Sequence, residues 1–128
     1  MANNIIMLNR GETYIFDFVL HDPNSNETGV YELQDNEVLY FALMYPHTKI
    51  EDAVILRGYT RQLLEQAGVG GAAVEIKLNP EDTYDLPVGV YYYTIKLQRG
   101  VDIEKEIGNF RAGEMMTIVP RTKFILND

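Results

Sequence analysis

The sequence predicts an all-β protein, an antiparallel sandwich of about seven to nine strands with one or two short helical turns. Three observations lead there. Apolar and polar residues alternate with a period of two over several stretches, as they do where side chains point in turn to core and solvent. Turn-forming residues interrupt the chain every ten to twenty residues or so, the spacing of short strands. Helical signal is too brief to supply the crossovers that a parallel sheet needs. The 128 residues read as one domain, 1–128, and 46% apolar against 23% charged residues is enough to pack a core.

The elements follow in chain order. Residues 5–8 read as a first short strand. Residues 13–20 are rich in aromatic and β-branched side chains and form a second. Tyr14, Phe16, Phe18 and Leu20 are expected inside, because the opposite set contains Asp17 and burying an unpaired carboxylate costs several kcal/mol. Residues 38–44 are apolar throughout, as in a central strand covered on both sides or one with a sticky outer face, and Leu39, Phe41 and Leu43 are assigned inward. Residues 54–56 form a short strand. Thr60 begins a brief helical stretch to Ala67, closed by Gly68. In residues 74–78, Val74, Ile76 and Leu78 alternate with Glu75 and Lys77. Asn79 is placed to cap one turn of helix with Pro80 at its first position. Residues 90–99 set Tyr91, Tyr93, Ile95 and Leu97 against Thr94, Lys96 and Gln98. Residues 115–119 and 123–126 complete the set as two further strands. The run Gly68-Val69-Gly70-Gly71 reads as a mobile loop tip.

Composition removes several function classes. Eleven Lys and Arg against 19 Asp and Glu give a net charge of −8, which repels phosphate backbones and anionic lipid, so neither nucleic acid nor membrane is an expected partner. Cysteine is absent, which removes disulfides, thiolate nucleophiles and zinc–thiolate sites together. The opening residues lack the basic start and apolar run of a signal peptide, so synthesis in the cytoplasm is expected. His21 and His47 stand in predicted loops without a Ser or Cys partner motif, and no catalytic residue is assigned. The oxygen-rich run 22–29 lacks the spacing of a calcium loop and reads as Asx turns, so no metal site is assigned. Glu81, Asp82 and Asp85 suit the start of a helical turn better than a glycosidase pair. Gly68-Val69-Gly70-Gly71 is not followed by the Lys-Ser/Thr of a phosphate loop. No cofactor is expected.

The nine tyrosines are the notable excess. Tyrosine gives large contact area at low entropic cost, and both protein interfaces and sugar-binding sandwiches use it. Tyr40, Tyr45, Tyr59, Tyr84 and Tyr92 are the candidates for a contact surface, whereas Tyr91 and Tyr93 belong to the core by alternation. The doubly apolar stretch 38–44 supports an interface.

The run Asn79-Pro80-Glu81-Asp82-Thr83 followed by Val90-Tyr91-Tyr92-Tyr93 is similar to the Glu-Asp-Thr…Tyr-Tyr-Cys stretch of immunoglobulin variable domains, with Tyr93 standing where that family has its cysteine. The similarity implies that Tyr91 or Tyr93 sits at a corner where its hydroxyl reaches backbone. A longer resemblance covers most of the chain. Leu8-Asn9-Arg10-Gly11-Glu12-Thr13…Phe16-Asp17-Phe18, Asp35-Asn36-Glu37-Val38…Phe41, residues 74–83, Leu86-Pro87-Val88-Gly89-Val90-Tyr91 and Thr117-Ile118-Val119-Pro120…Phe124 follow one another in the order of the immunoglobulin-like domains of phage tail and baseplate proteins. Residues 101–113 depart from that pattern as a longer segment. The resemblance implies an immunoglobulin-like sandwich in a virion structural protein of the tail or baseplate adhesion device, not an enzyme, assembling as a homo-oligomer with other phage structural proteins. The alternative is a stand-alone carbohydrate-binding sandwich.

Overall fold

A computed structural model describes residues 5–20, 31–66 and 73–128. Two sheets carry the fold. The larger has the strand order β1-β7-β6-β3-β4 and the smaller pairs β2 with β5. The strands are β1 (Ile6–Asn9), β2 (Tyr14–Val19), β3 (Glu37–Met44), β4 (Ile55–Thr60), β5 (Ala73–Leu78), β6 (Gly89–Arg99) and β7 (Glu114–Asn127). A 3₁₀ turn (Ile50–Asp52) precedes β4, α1 (Arg61–Gln66) follows it, and α2 (Pro80–Thr83) follows β5. The fold is therefore mostly β and sandwich-like, as the period-two alternation predicts. The end of the predicted helical stretch at Ala67 and Gly68, the glycine run 68–71, His21, the run 22–29 and the side chains of Phe16 and Phe18 lie outside the described residues.

One core joins the two sheets. Leu39, Phe41 and Leu43 of β3, Tyr91, Tyr93, Ile95 and Leu97 of β6, and Phe124 and Leu126 of β7 meet Leu20 and the β5 residues Val74, Ile76 and Leu78. For β3, β5 and β6, and for Leu20, these are the predicted inward positions. In β2, Tyr14 packs against the core while Ile15, Asp17 and Val19 are exposed, so the register keeps the Asp17 carboxylate in water. Tyr91, Tyr93 and Ile95 are buried between the sheets, with the Phe41 and Tyr93 rings stacked at 5.9 Å.

Two features differ from the expectation. The β1–β7 pair is parallel, whereas every other pair is antiparallel. A parallel pair needs a long connection, and nearly the whole chain runs between these two strands. The two strands expected over 115–119 and 123–126 are one continuous strand, β7. Its register against β6 shifts on both sides of Ile95, so Pro120, which has no N–H to give the ladder, sits at an irregularity instead of a break. Thr94 Oγ1 donates to the Val119 carbonyl at 2.6 Å across that shift.

Short polar networks close the sandwich. At one end the Asn79 N–H donates to Asp82 Oδ2 at 2.7 Å, the reciprocal half of a helix cap. Asp82 also accepts from Arg57 of β4, tying the turn after β5 to the far edge of the other sheet. Thr83, fully buried, accepts the Gly11 N–H at 3.0 Å, and Gly11 takes φ +83° as the chain crosses from one sheet to the other. The Tyr91 hydroxyl donates to the Pro87 carbonyl four residues upstream, the corner that the tyrosine spacing implied. Elsewhere in the fold the buried Glu37 carboxylate accepts from the Tyr31 hydroxyl (2.6 Å), the Gln34 N–H (2.8 Å) and Arg99 Nε (2.9 Å), so its charge is paired and hydrogen-bonded.

These networks set the pH limits of stability. Burial pushes the Tyr91 phenol up to about 12, aided by Tyr45 beside it, and burial raises Tyr31, Tyr40, Tyr59 and Tyr93 as well. The folded state favours the neutral phenols, so their contribution is complete below about pH 10 and is lost at higher pH; for Tyr91 the loss runs toward about pH 12 and is on the order of 2–3 kcal/mol. Tyr91→Phe should cost about 1–3 kcal/mol at pH 7 in urea titrations, because the Pro87 carbonyl loses its donor, and should lessen the alkaline loss. Burial works against the Asp82 charge, but the Asn79 N–H and Arg57 outweigh it and hold that carboxyl below its ordinary range. Its contribution is present above about pH 4 and is lost as pH falls. Asp82→Asn should therefore destabilise by about 1–3 kcal/mol at pH 7, with the gap to the parent closing in acid.

Candidate functional site: the outer face of the large sheet

β3 is buried at all eight positions, so its outward residues need a cover that β2 and β5, on the other side, do not give. Residues 101–113, the segment longer than the resemblance accounts for, fold back and supply half of it. Val38, Tyr40 and Val101 form a second apolar cluster with Ile103, Phe110, Ala112 and Met115 packed against it, and the Phe110 ring meets Tyr40 edge-on at 5.1 Å. Gln98, fully buried, pins the segment by donating through Nε2 to the carbonyls of Asn109 (2.6 Å) and Ala112 (2.9 Å), while Oε1 accepts from the Tyr40 hydroxyl at 2.9 Å. The Tyr40 hydroxyl in turn accepts the Gly108 N–H at 3.0 Å. At the return into β7, Gly113 has φ +59° and lies so near Arg99 that a Cβ would stand 1.9 Å from its carbonyl oxygen. Only glycine fits there.

The other half of this face is open. Met7 of β1 is 63% exposed and pairs with Ile125, which pairs in turn with Val90 on its other side, giving an apolar row across three strands. Beside it the Arg121 guanidinium lies 5.6 Å above the Tyr92 ring and donates to the carbonyls of Thr48 (2.7 Å) and Tyr45 (3.3 Å). These bonds hold a tight turn in which His47 takes φ +67°. Tyr92 pairs with Lys123 on one side and Met44 on the other.

The five candidate tyrosines do not form one surface. Tyr40 is 1% exposed and is corrected to a core residue of the second cluster, because the 101–113 segment covers it. The apolar outer side of β3 is likewise covered within the chain and does not present the interface expected of it. Tyr59 packs against the main core from β4. Tyr84, 70% exposed, follows α2 and lies over Gly11. Tyr45 and Tyr92 are brought together through Arg121, with the Tyr45 ring tilted against Tyr91 at 5.2 Å. Gln98 and Arg121, which organise the two halves, carry no sequence signal: Gln98 is one of the polar positions of an alternating strand, and Arg121 falls between the two strands expected at 115–119 and 123–126.

A shallow polar hollow of about 480 Å³ lies between the 3₁₀ turn and the covering segment, lined by Lys49, Glu51, Asp52, Asn109 and Arg111 among others. Among the described residues no group of three or more His, Asp or Glu side chains is placed to hold a metal ion, and no helix is long and apolar enough to cross a membrane. The chain matches no family model and no curated protein.

Gln98→Leu removes the pin and strands two carbonyls and the Tyr40 hydroxyl. It should cost about 1–3 kcal/mol in chemical denaturation and expose residues 101–113 to limited proteolysis while the strand signal in circular dichroism persists.

Proposed function

We propose that this chain is a non-enzymatic structural module of a phage tail or baseplate that acts by protein–protein assembly. The open half of the large sheet carries the reading: an apolar row of Met7, Ile125 and Val90, flanked by Tyr92, Arg121 and Lys123, has the mixture of apolar, aromatic and arginine surface that protein interfaces favour. The strand arrangement supports it too. A sheet ordered β7-β6-β3-β4 facing the pair β2-β5 follows the strand grouping of immunoglobulin-like sandwiches, the fold that the sequence resemblance implies. Fold alone does not give function, so the surface and the resemblance bear the weight.

One observation favours a sugar-binding module instead, the exposed ring of Tyr84. Tyr92 is less suited to stacking on a sugar because Arg121 already lies over its ring.

Mass spectrometry of gradient-purified virions from the phage or lysogen encoding the chain should find it in the particle, and immunogold labelling should place it on the tail. Its absence from purified particles overturns the proposal. Saturable oligosaccharide binding that Tyr84→Ala abolishes would establish the second reading.

A further inference from the structure

The sheet positions that face away from the core differ sharply in charge between the two sides of the molecule. On the large sheet the outward residues of β1, β7, β6 and β3 include Lys96, Lys123 and Arg121 and not one carboxylate, in a chain of net charge −8. Among the described residues no carboxylate lies within 4.0 Å of any of these three cations. On the small sheet the outward residues are Ile15, Asp17 and Val19 of β2 with Glu75 and Lys77 of β5. Asp17 and Glu75 stand directly opposite each other in the antiparallel ladder, both exposed. Like charges so placed destabilise a sheet, and Lys77 faces Ile15, reaching Asp17 only on the diagonal. Among the described residues no cation is within 4.0 Å of either carboxylate. Exposed Ile15 and Val19 flank the acidic pair as Met7, Val90 and Ile125 flank the basic residues on the opposite side.

We propose that the open half of the large sheet in one copy docks on the outer face of the β2–β5 pair in a second copy. Lys123 and its neighbours would neutralise the Asp17–Glu75 pair, and the two apolar sets would cover each other. This inference rests on the reading of the chain as an assembly module and names the surface that meets the open face. Because the two faces are different and lie on opposite sides of the sandwich, the contact is head to tail, and it propagates into a ring or a filament.

Sedimentation velocity from micromolar to millimolar concentration tests it. The parent chain should associate beyond a dimer, and added salt should weaken the association. Lys123→Glu should weaken it at least about tenfold, and so should Asp17→Lys. Asp17→Lys also turns a repulsive cross-strand pair into an attractive one, so its Tm should not fall, which separates lost docking from lost folding. An equimolar mixture of the two variants retains one intact basic face and one intact acidic face and sets the two reversed charges opposite each other at the other contact, so it should regain association that neither variant shows alone. A parent chain that stays monomeric at millimolar concentration overturns the inference, as does association that Asp17→Lys leaves unchanged, or a mixture that regains no association. A chain found in virions yet monomeric in isolation would defeat this inference and spare the assembly reading; a self-associating chain absent from virions would do the reverse.

Discussion

The central strand β3 sets the conditions for the rest of the molecule. All eight of its residues are buried, so it needs a cover on each side, and the two covers come from different parts of the chain. The inner cover is the β2–β5 pair, which joins it in the main core. The outer cover is the 101–113 segment, added between β6 and β7. Burying Val38 and Tyr40 beneath it is worth about 1.5–3 kcal/mol for each large apolar side chain, which makes the covering segment part of the fold and not an ornament on it. The tyrosine hydroxyl and the Gln98 amide beneath the segment cannot be buried cheaply unless bonded, and they select the one seating in which the carbonyls of Asn109 and Ala112 and the Gly108 N–H meet them.

The imbalance between the sheets explains the polar closures. Two strands cannot cover five, and the flank beyond β5 would leave β4 open. Arg57, opposite Phe41 in the ladder and so on the inner side of the sheet, reaches Asp82 there, and buried Thr83 ties the same turn to Gly11. Glu37 and Arg99 face each other at the first rung of the β3–β6 ladder and keep a buried charge fully bonded. Removing one partner from such a pair costs far more than the pair contributes, because it leaves an uncompensated buried charge.

Much of this was legible from residue order. Alternation identified the inner faces of β5 and β6, and the single acid Asp17 settled the register of β2. Asn79-Pro80 announced the helix cap, and the tyrosine spacing pointed to a corner at Tyr91 or Tyr93, of which Tyr91 makes it. Three things were not legible, each for a physical reason. A strand apolar on both sides reads the same whether a partner or its own chain covers it, so Tyr40 could not be separated from a surface tyrosine. Pro120 signals a break, and only the ladder shows that a bulge absorbs it. The parallel β1–β7 pair depends on where two distant segments meet, which local pattern does not encode. The open half of the candidate surface was half visible: Tyr45 and Tyr92 stood out, whereas Met7, Val90 and Ile125 gained meaning only as neighbours across strands.

Charge and apolar area play separate parts on that surface, and their magnitudes differ. An exposed ion pair is worth about 0–1 kcal/mol and is screened over roughly 8–10 Å at moderate salt, so Lys96, Arg121 and Lys123 cannot by themselves hold a partner. Arg121 is further committed to the Thr48 and Tyr45 carbonyls, which leaves it as a fixed positive field and not a free hydrogen-bonding arm. Lasting affinity has to come from covering Met7, Val90 and Ile125, at about 25 cal/mol per Å² of apolar area removed from water. In the proposed docking, a basic patch on a chain of net charge −8 would serve a different end: it would repel acidic outer surfaces least at one orientation and so select how copies meet before apolar contact forms.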